Sequence, residues 1–325
     1  MTRYEPSTLI ARWNSPNPQS TLPNLARSLS TNLSATSTGR FLVSIRTLRL
    51  PPPPPPTGKG KQKQSKVEGR NMYIVRKLEG NGEETAIIVE DPNKPHRPTK
   101  NKGKGKATNQ DDQGDDEMVI QGDVGEGASH YRWSYSTVSA PQASHSSTSS
   151  SSSSSAIDSF IGRVLVAPPA PTSASTPQTQ QAWQARPTAL SLEGATFSIS
   201  SNPISNPNNT DWLVKVAVVN VKGGTASGTT RGCIVQATYL PLLYLPPSST
   251  LIRDFLLALF PSQAVQNGEI TLFDPKEDEF VKAGILDPIG DGEEGGMQEV
   301  EGEWEWKEKH SLFSYIQQFR KEGLL

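Results

Sequence analysis

The chain has 325 residues, 34% of them hydrophobic, with 26 glycines, 27 prolines and a formal net charge of −1. Near-neutrality argues against a dedicated nucleic-acid or membrane-surface binder, and the single cysteine, Cys233, excludes an intrachain disulfide and a cysteine metal cluster. No apolar run reaches the ~18 residues of a membrane span, and about 200 residues remain once low-complexity tracts are set aside, enough for one buried core.

Leu9–Trp13 reads as a first strand, followed by a helix over about 22–33 with Leu22, Leu25, Ala26, Leu29 and Leu33 at helical spacing and Pro23 in its first turn. Gly39 introduces a strand over 40–48, where Phe41, Val43 and Ile45 alternate with Leu42, Ser44 and Arg46. Residues 1–50 also hold six arginines, many serines and one acid, Glu5, the composition of a mitochondrial presequence; the period-two pattern speaks against the continuous amphipathic helix such a leader needs.

Six prolines at 51–56 form a stiff spacer that leads into a lysine-rich tract. Met72–Lys77 and Ala86–Glu90, separated by Gly80-Asn81-Gly82, read as a hairpin. Residues 91–116 lack apolar periodicity, Tyr131–Val138 reads as a strand, and 146–155 is a serine tether. A short apolar stretch, Ile157–Val166, precedes a second linker at 167–186.

Three strands follow, at Ala189–Ile199, Trp212–Val221 and Arg231–Tyr244, then a helix over Thr250–Phe260 with Ser249 or Thr250 as its N-cap and Pro261 beyond its end. The glycine-rich acidic stretch 287–303 reads as a surface loop. A terminal helix carries Leu312, Tyr315, Ile316 and Phe319 at i, i+3, i+4 and i+7, with Arg320 and Lys321 in its last turn. The class is α+β: an antiparallel β-barrel-like sheet flanked by helices, with long disordered insertions. One domain spans 1–325. Its ordered core covers approximately 7–49, 70–91, 117–139, 156–167, 186–261 and 304–322, with flexible insertions or loops at 50–69, 92–116, 140–155, 168–185 and 262–303.

No catalytic constellation emerges, so the chain reads as a non-enzyme with no cofactor, metal ligand or catalytic residue. The run from Val219 to Thr230 is similar to the deviant phosphate-binding loop of partition-type ATPases, but Thr229 follows Gly228 where the phosphate-binding lysine belongs. A strand, not a helix N-terminus, follows it, so a turn between antiparallel strands fits better. The four histidines, at 96, 130, 145 and 310, lack paired metal-ligand spacing. Acidic residues cluster in flexible stretches, and Cys233 reads as a core residue in a strand. The basic tracts 59–70 and 94–106 suit nuclear import or a solvated loop, and lack the interleaved aromatics of a nucleic-acid site.

Asp211-Trp212-Leu213-Val214-Lys215-Val216, preceded by Leu192-Glu193-Gly194 and followed by Arg231-Gly232-Cys233-Ile234-Val235 and Tyr239-Leu240-Pro241, resembles in order the Mediator subunit 20 family, also described as TBP-related. Leu251-Ile252-Arg253-Asp254-Phe255-Leu256, the closing Tyr315-Ile316-Gln317-Gln318-Phe319, and the Gly39-Arg40-Phe41, Met72-Tyr73 and Ile87–Glu90 segments fall in the same order. Ala217 and Gln236 depart from the family's glycine and glutamate, and its Gly-Val-Thr opening is absent. The resemblance implies a non-catalytic nuclear subunit of the Mediator head. It would act as a coregulator of RNA polymerase II by pairing with subunit 18 near the C-terminal segment of subunit 8, with TBP or the polymerase as further contacts. Neither membrane nor direct nucleic-acid contact is expected. Leu251, Phe255, Leu312, Tyr315, Ile316 and Phe319, on the two apolar helices, are the expected partner-binding residues. A mitochondrial protein with an Arg/Ser-rich presequence is the second reading, and a degenerate nucleotide-binding loop the third.

Overall fold

The computed structural model describes residues 5–15, 17–52, 68–79, 82–95, 132–138, 161–162, 166, 182–200, 210–225, 227–246, 248–273, 277–285 and 306–325. The expected serine tether, most of the proline spacer and basic tracts, the acidic loop, His96, His130, His145 and core residues 117–131 lie outside them.

The described chain runs β1 (Glu5–Pro6), β2 (Thr8–Trp13), α1 (Pro18–Asn32), β3 (Thr36–Leu50), β4 (Arg70–Glu79), β5 (Gly82–Glu90), β6 (Trp133–Val138), β7 (Gln184–Ile199), β8 (Trp212–Lys222), β9 (Thr230–Tyr239), β10 (Tyr244–Leu245), α2 (Leu251–Ala258), α3 (Ser262–Gln266), β11 (Ile270–Phe273), α4 (Glu277–Lys282) and α5 (Glu308–Lys321). Nine strands form one antiparallel sheet in the order β11-β2-β9-β8-β7-β3-β4-β5-β6, and β1 pairs with β10. The α+β class with an antiparallel, barrel-like sheet therefore holds.

Period-two alternation sends side chains to opposite faces. Inward residues of all nine strands, among them Ile10, Phe41, Val43, Tyr73, Ile88, Trp133, Leu192, Val219, Ile234 and Phe273, share one core with α5. Arg12 of β2 pairs with Glu322 at the end of α5 and Trp133 of β6 packs on its Phe313, so the sheet has curled around the helix. The β11 and β6 edges are not paired with each other. The segment after β11 spans the seam instead: Phe280 of α4 enters the core, and Gly284 lies against the Trp133 backbone.

The outward face of β2, β9, β8 and β7 carries the second core. Ala11, Trp13, Val214, Val216, Cys233 and Val235 meet Leu25 and Leu29 of α1, Ile252 and Leu256 of α2, and Ala264 of α3. Strand β8 is thus buried on both sides, which explains its near-continuous apolar run. A third, smaller cluster joins Leu48, Met72 and Ile74 to Ile161.

Several boundaries differ from expectation. Pro18, not Pro23, occupies the first turn of α1, and Pro23 lies inside the helix. Strand β9 stops at Tyr239 because Pro241 cannot extend a ladder, so Leu240–Leu243 leave the sheet. Strand β7 begins at Gln184, inside the expected linker. Within the expected loop 262–303, residues 262–273 and 277–285 form α3, β11, α4 and the turn after it, with Phe273, Phe280 and Ile285 buried in the barrel core.

One glycine is sterically required at the centre of the sheet. Gly194 of β7 pairs with Ala217 of β8, and a Cβ there would strike the Val216 carbonyl oxygen. Gly194→Ala therefore forces two central strands apart and is expected to cost about 2 kcal/mol, read as a lower midpoint in urea unfolding with an unchanged slope.

Candidate protein-binding surface

The terminal helix is not a surface. Leu312, Tyr315, Ile316 and Phe319 all lie in the barrel core, which corrects the expectation that α5 presents them to a partner. A bundle of five apolar side chains, these four and Phe313, points in more than one direction. Only a sheet wrapped around the helix covers them all.

Charges fix α5 at both ends. At its start, Glu308 lies 3.2 Å from Lys77 and 3.7 Å from Lys215, and both lysines also contact Glu79, at 2.8 and 3.0 Å. His310 Nδ1 accepts the Lys307 N–H at 2.8 Å, closing the first turn. Midway, the Tyr315 hydroxyl donates to Gln236 Oε1 at 2.6 Å. At its end, Arg320 meets the buried Glu90 carboxylate at 3.0 Å and lies over the Trp133 ring, while Glu322 receives Arg12 Nε at 3.2 Å. The sheet matches the helix end for end.

Burial works against a charged Lys77 but is outweighed by Glu308 and Glu79, so its ammonium is held above the ordinary 10.5. Burial also works against Glu79, and Lys215 and Lys77 outweigh it, keeping that carboxyl below the ordinary 4.5. The depressed Glu79 stabilises the fold above its unfolded pKa, and that contribution is lost as pH falls through the lower folded value. The raised Lys77 stabilises it below 10.5 and is lost as pH rises through the higher folded value. The stability difference between wild type and Glu79→Gln is expected to stay level over roughly pH 5 to 9 and to shrink at more acid pH, measured by urea unfolding at each pH.

The glycine-rich run is the β8–β9 turn. Gly223, Gly224 and Gly228 take positive φ of 79°, 65° and 81°, which glycine adopts without strain. The Val221 carbonyl accepts the Gly228 N–H at 2.9 Å, and Lys222 pairs with Glu193 at 2.7 Å. It joins two antiparallel strands and leads into no helix. Cys233 is buried in the outer core, and burial pushes its thiol up to about 12. Among the described residues, no group of three metal-ligating side chains gathers, and no helix is long and apolar enough to cross a membrane.

The remaining expected partner residues lie on the outer helical layer. Leu251, at the start of α2, is 44% exposed. Phe255, one turn on, is half-buried and stacks on Trp212 with ring centroids 3.8 Å apart; Trp212 in turn meets Tyr239 at 4.8 Å. Beyond Tyr239 the chain exposes Leu240, Leu242 and Leu243 at 45%, 48% and 60%. These three leucines fall inside the strand expected over Arg231–Tyr244, and the prolines at 241, 246 and 247 are the signal in the sequence that the ladder ends. One apolar path thus runs from the leucine loop through the Tyr239–Trp212–Phe255 tier to α2.

Alongside this path, charge is scarce. Helices α1, α2 and α3 carry three charged side chains between them, Arg27, Arg253 and Asp254, whereas charged residues make up 20% of the chain. Depletion of charge with exposed large apolar groups is the compositional mark of a protein-contact surface.

No family model and no curated protein matches the chain. Among solved structures, the PH1819 protein from Pyrococcus horikoshii OT3 is similar over 81% of this chain and 99% of that one, at 6% identity and a TM-score of 0.29. That likeness is too low to carry an argument.

Proposed function

We propose that this chain is a non-catalytic scaffold that works by protein–protein contact, as a subunit-20-like component of the Mediator head in the nucleus. The leucine loop beside the charge-poor helical layer carries the contact reading. The Mediator assignment rests on the sequence resemblance, whose main segments fall on β7, β8 and β9 at the centre of the sheet. Subunit 18 and the C-terminal segment of subunit 8 are the partners that resemblance proposes.

The presequence reading is disfavoured by a specific observation. Residues 8–13 and 36–50 are strands of the main sheet, with Ile10, Phe41, Val43 and Ile45 in the barrel core. A leader cleaved over 1–50 would remove two of nine strands. A nucleotide site is disfavoured by the hairpin geometry of the glycine loop, which offers no helix N-terminus to a phosphate.

The test is Leu242→Ser combined with Leu243→Ser. Both side chains are exposed, so stability is expected to change by no more than about 0.5 kcal/mol per site. Capture of co-purifying subunits is expected to fall at least about tenfold, since losing apolar contact worth 1.4 kcal/mol already does this. Undiminished capture by a normally melting variant would remove the leucine loop from the interface.

A further inference from the structure

Strand order constrains the chain between β6 and β7. The order β7-β3-β4-β5-β6 puts three strands between them, and α5 fills the space on their inner face. Ile161, midway along the connecting residues 139–183, lies on the outer face instead. Met72 and Ile74 point outward there, alternating with the inward Tyr73 and Val75, and Leu48 pairs with Met72 on the neighbouring strand. Ile161 is 6% exposed and joins these three in one buried cluster, with Ile87, Val89, Val166 and Trp183 packed at its margin. The Val166 N–H donates to the Ile161 carbonyl at 3.0 Å, closing a turn.

The contact is one side chain deep. A Cβ added at the neighbouring Gly162 would meet nothing within 4 Å. On either side the sequence offers little more to bury, since residues 139–156 and 167–182 hold no apolar side chain larger than proline. One full burial and the partial burial of Val166 are small gains against the conformational entropy of fixing the turn. The barrel core, which unites the sheet with α5, is held far more firmly. An element so thinly attached opens locally while the rest stays folded, and its covalent attachment at both ends returns it to the sheet.

We propose that Ile161 and Val166 anchor a strap that opens as a local unit, uncovering the apolar outer face of β3, β4 and β5 while the barrel stays intact. Closed, the strap keeps Leu48, Met72 and Ile74 from water. Open, it exposes an apolar patch with Ile87 and Val89 at its edge. The strap is this chain's own occupant of that face. It goes beyond the scaffold reading, and its test does not depend on partner capture.

The test is native-state thiol labelling of the full chain carrying Met72→Cys. Cys233, buried in the outer core, is the internal reference, because it becomes accessible only when the sheet itself opens. The introduced thiol is expected to react at least about a hundredfold faster than Cys233, at a rate that hardly changes in dilute urea because strap opening exposes little surface. Ile161→Ala is expected to speed that reaction at least about tenfold and to leave the Cys233 rate unchanged. Leu48→Cys, on the adjacent strand, gives the same reading should Met72→Cys fold poorly. Two thiols that react together, with one urea dependence, would overturn the proposal by making Ile161 part of the barrel's cooperative unit. So would an introduced thiol that reacts as fast as a free cysteine with or without Ile161→Ala, because nothing would then cover the face.

Discussion

Replacing Ile316 or Phe319 by Asp is expected to unfold the protein, not merely to weaken a contact. Both side chains are 0% exposed, at the centre of the barrel. Truncating a core Phe or Ile to alanine already costs about 2–5 kcal/mol. Aspartate adds the cost of a buried, unpaired carboxylate, or of the proton needed to neutralise it. The sum approaches the 5–15 kcal/mol that holds an ordinary domain together. Circular dichroism and urea unfolding of the purified variants check this. A variant that melts cooperatively near the wild-type temperature would mean that α5 does not sit in the barrel.

The second large effect is asymmetric. Arg12 is 1% exposed, and its guanidinium reaches Glu322 as well as the carbonyls of Cys233 and Arg231. Glu322→Ala leaves that cation buried with neutral acceptors alone. Removing one partner of a buried pair typically costs 3–5 kcal/mol; because Glu322 is 21% exposed and water can reach the gap, about 3 kcal/mol is expected. Arg12→Met removes charge and desolvation cost together, and in the Glu322→Ala background it is expected to restore most of the loss. The four variants form a double-mutant cycle measured by urea unfolding. Equal, additive losses from the two single changes would show that the ion pair does not tie α5 to β2.

How far the sequence foretold this architecture depended on element length. Strand β3 was legible because Phe41, Val43 and Ile45 alternate with residues of the other face. The double burial of β8 produced a run dense in valine that reads as a central strand. Helices α3 and α4 and strand β11 are six residues or fewer, shorter than any window in which a period stands out, and Gly268 and Pro275 break the stretch into apparent loop. Phe273 and Phe280 look isolated in sequence and are core residues in space.

The terminal helix was legible as a helix but not as a core element. Leu312, Tyr315, Ile316 and Phe319 form one stripe, which leaves open whether a sheet or a partner covers it. What decided the matter is distant in sequence: Lys77 and Lys215 await Glu308, and Glu90 and Arg12 await Arg320 and Glu322. Period analysis reports the apolar side of a helix and is silent on charges about ninety or more residues away. The leucine loop escaped for the opposite reason, since its residues have strand propensity and only Pro241 marks their exit from the sheet. Of the residues expected to bind a partner, Leu251 and Phe255 remain at the surface path, and the four on α5 belong to the interior.

The most direct measurement is native affinity purification of the full tagged chain from nuclear extract, with quantitative mass spectrometry of what accompanies it. A subunit-20-like scaffold is expected to bring Mediator head subunits in near-stoichiometric amounts, subunit 18 foremost, and the Leu242→Ser/Leu243→Ser form is expected to bring fewer. A chain recovered alone, or with a stoichiometric set containing no Mediator subunit, would contradict the Mediator assignment.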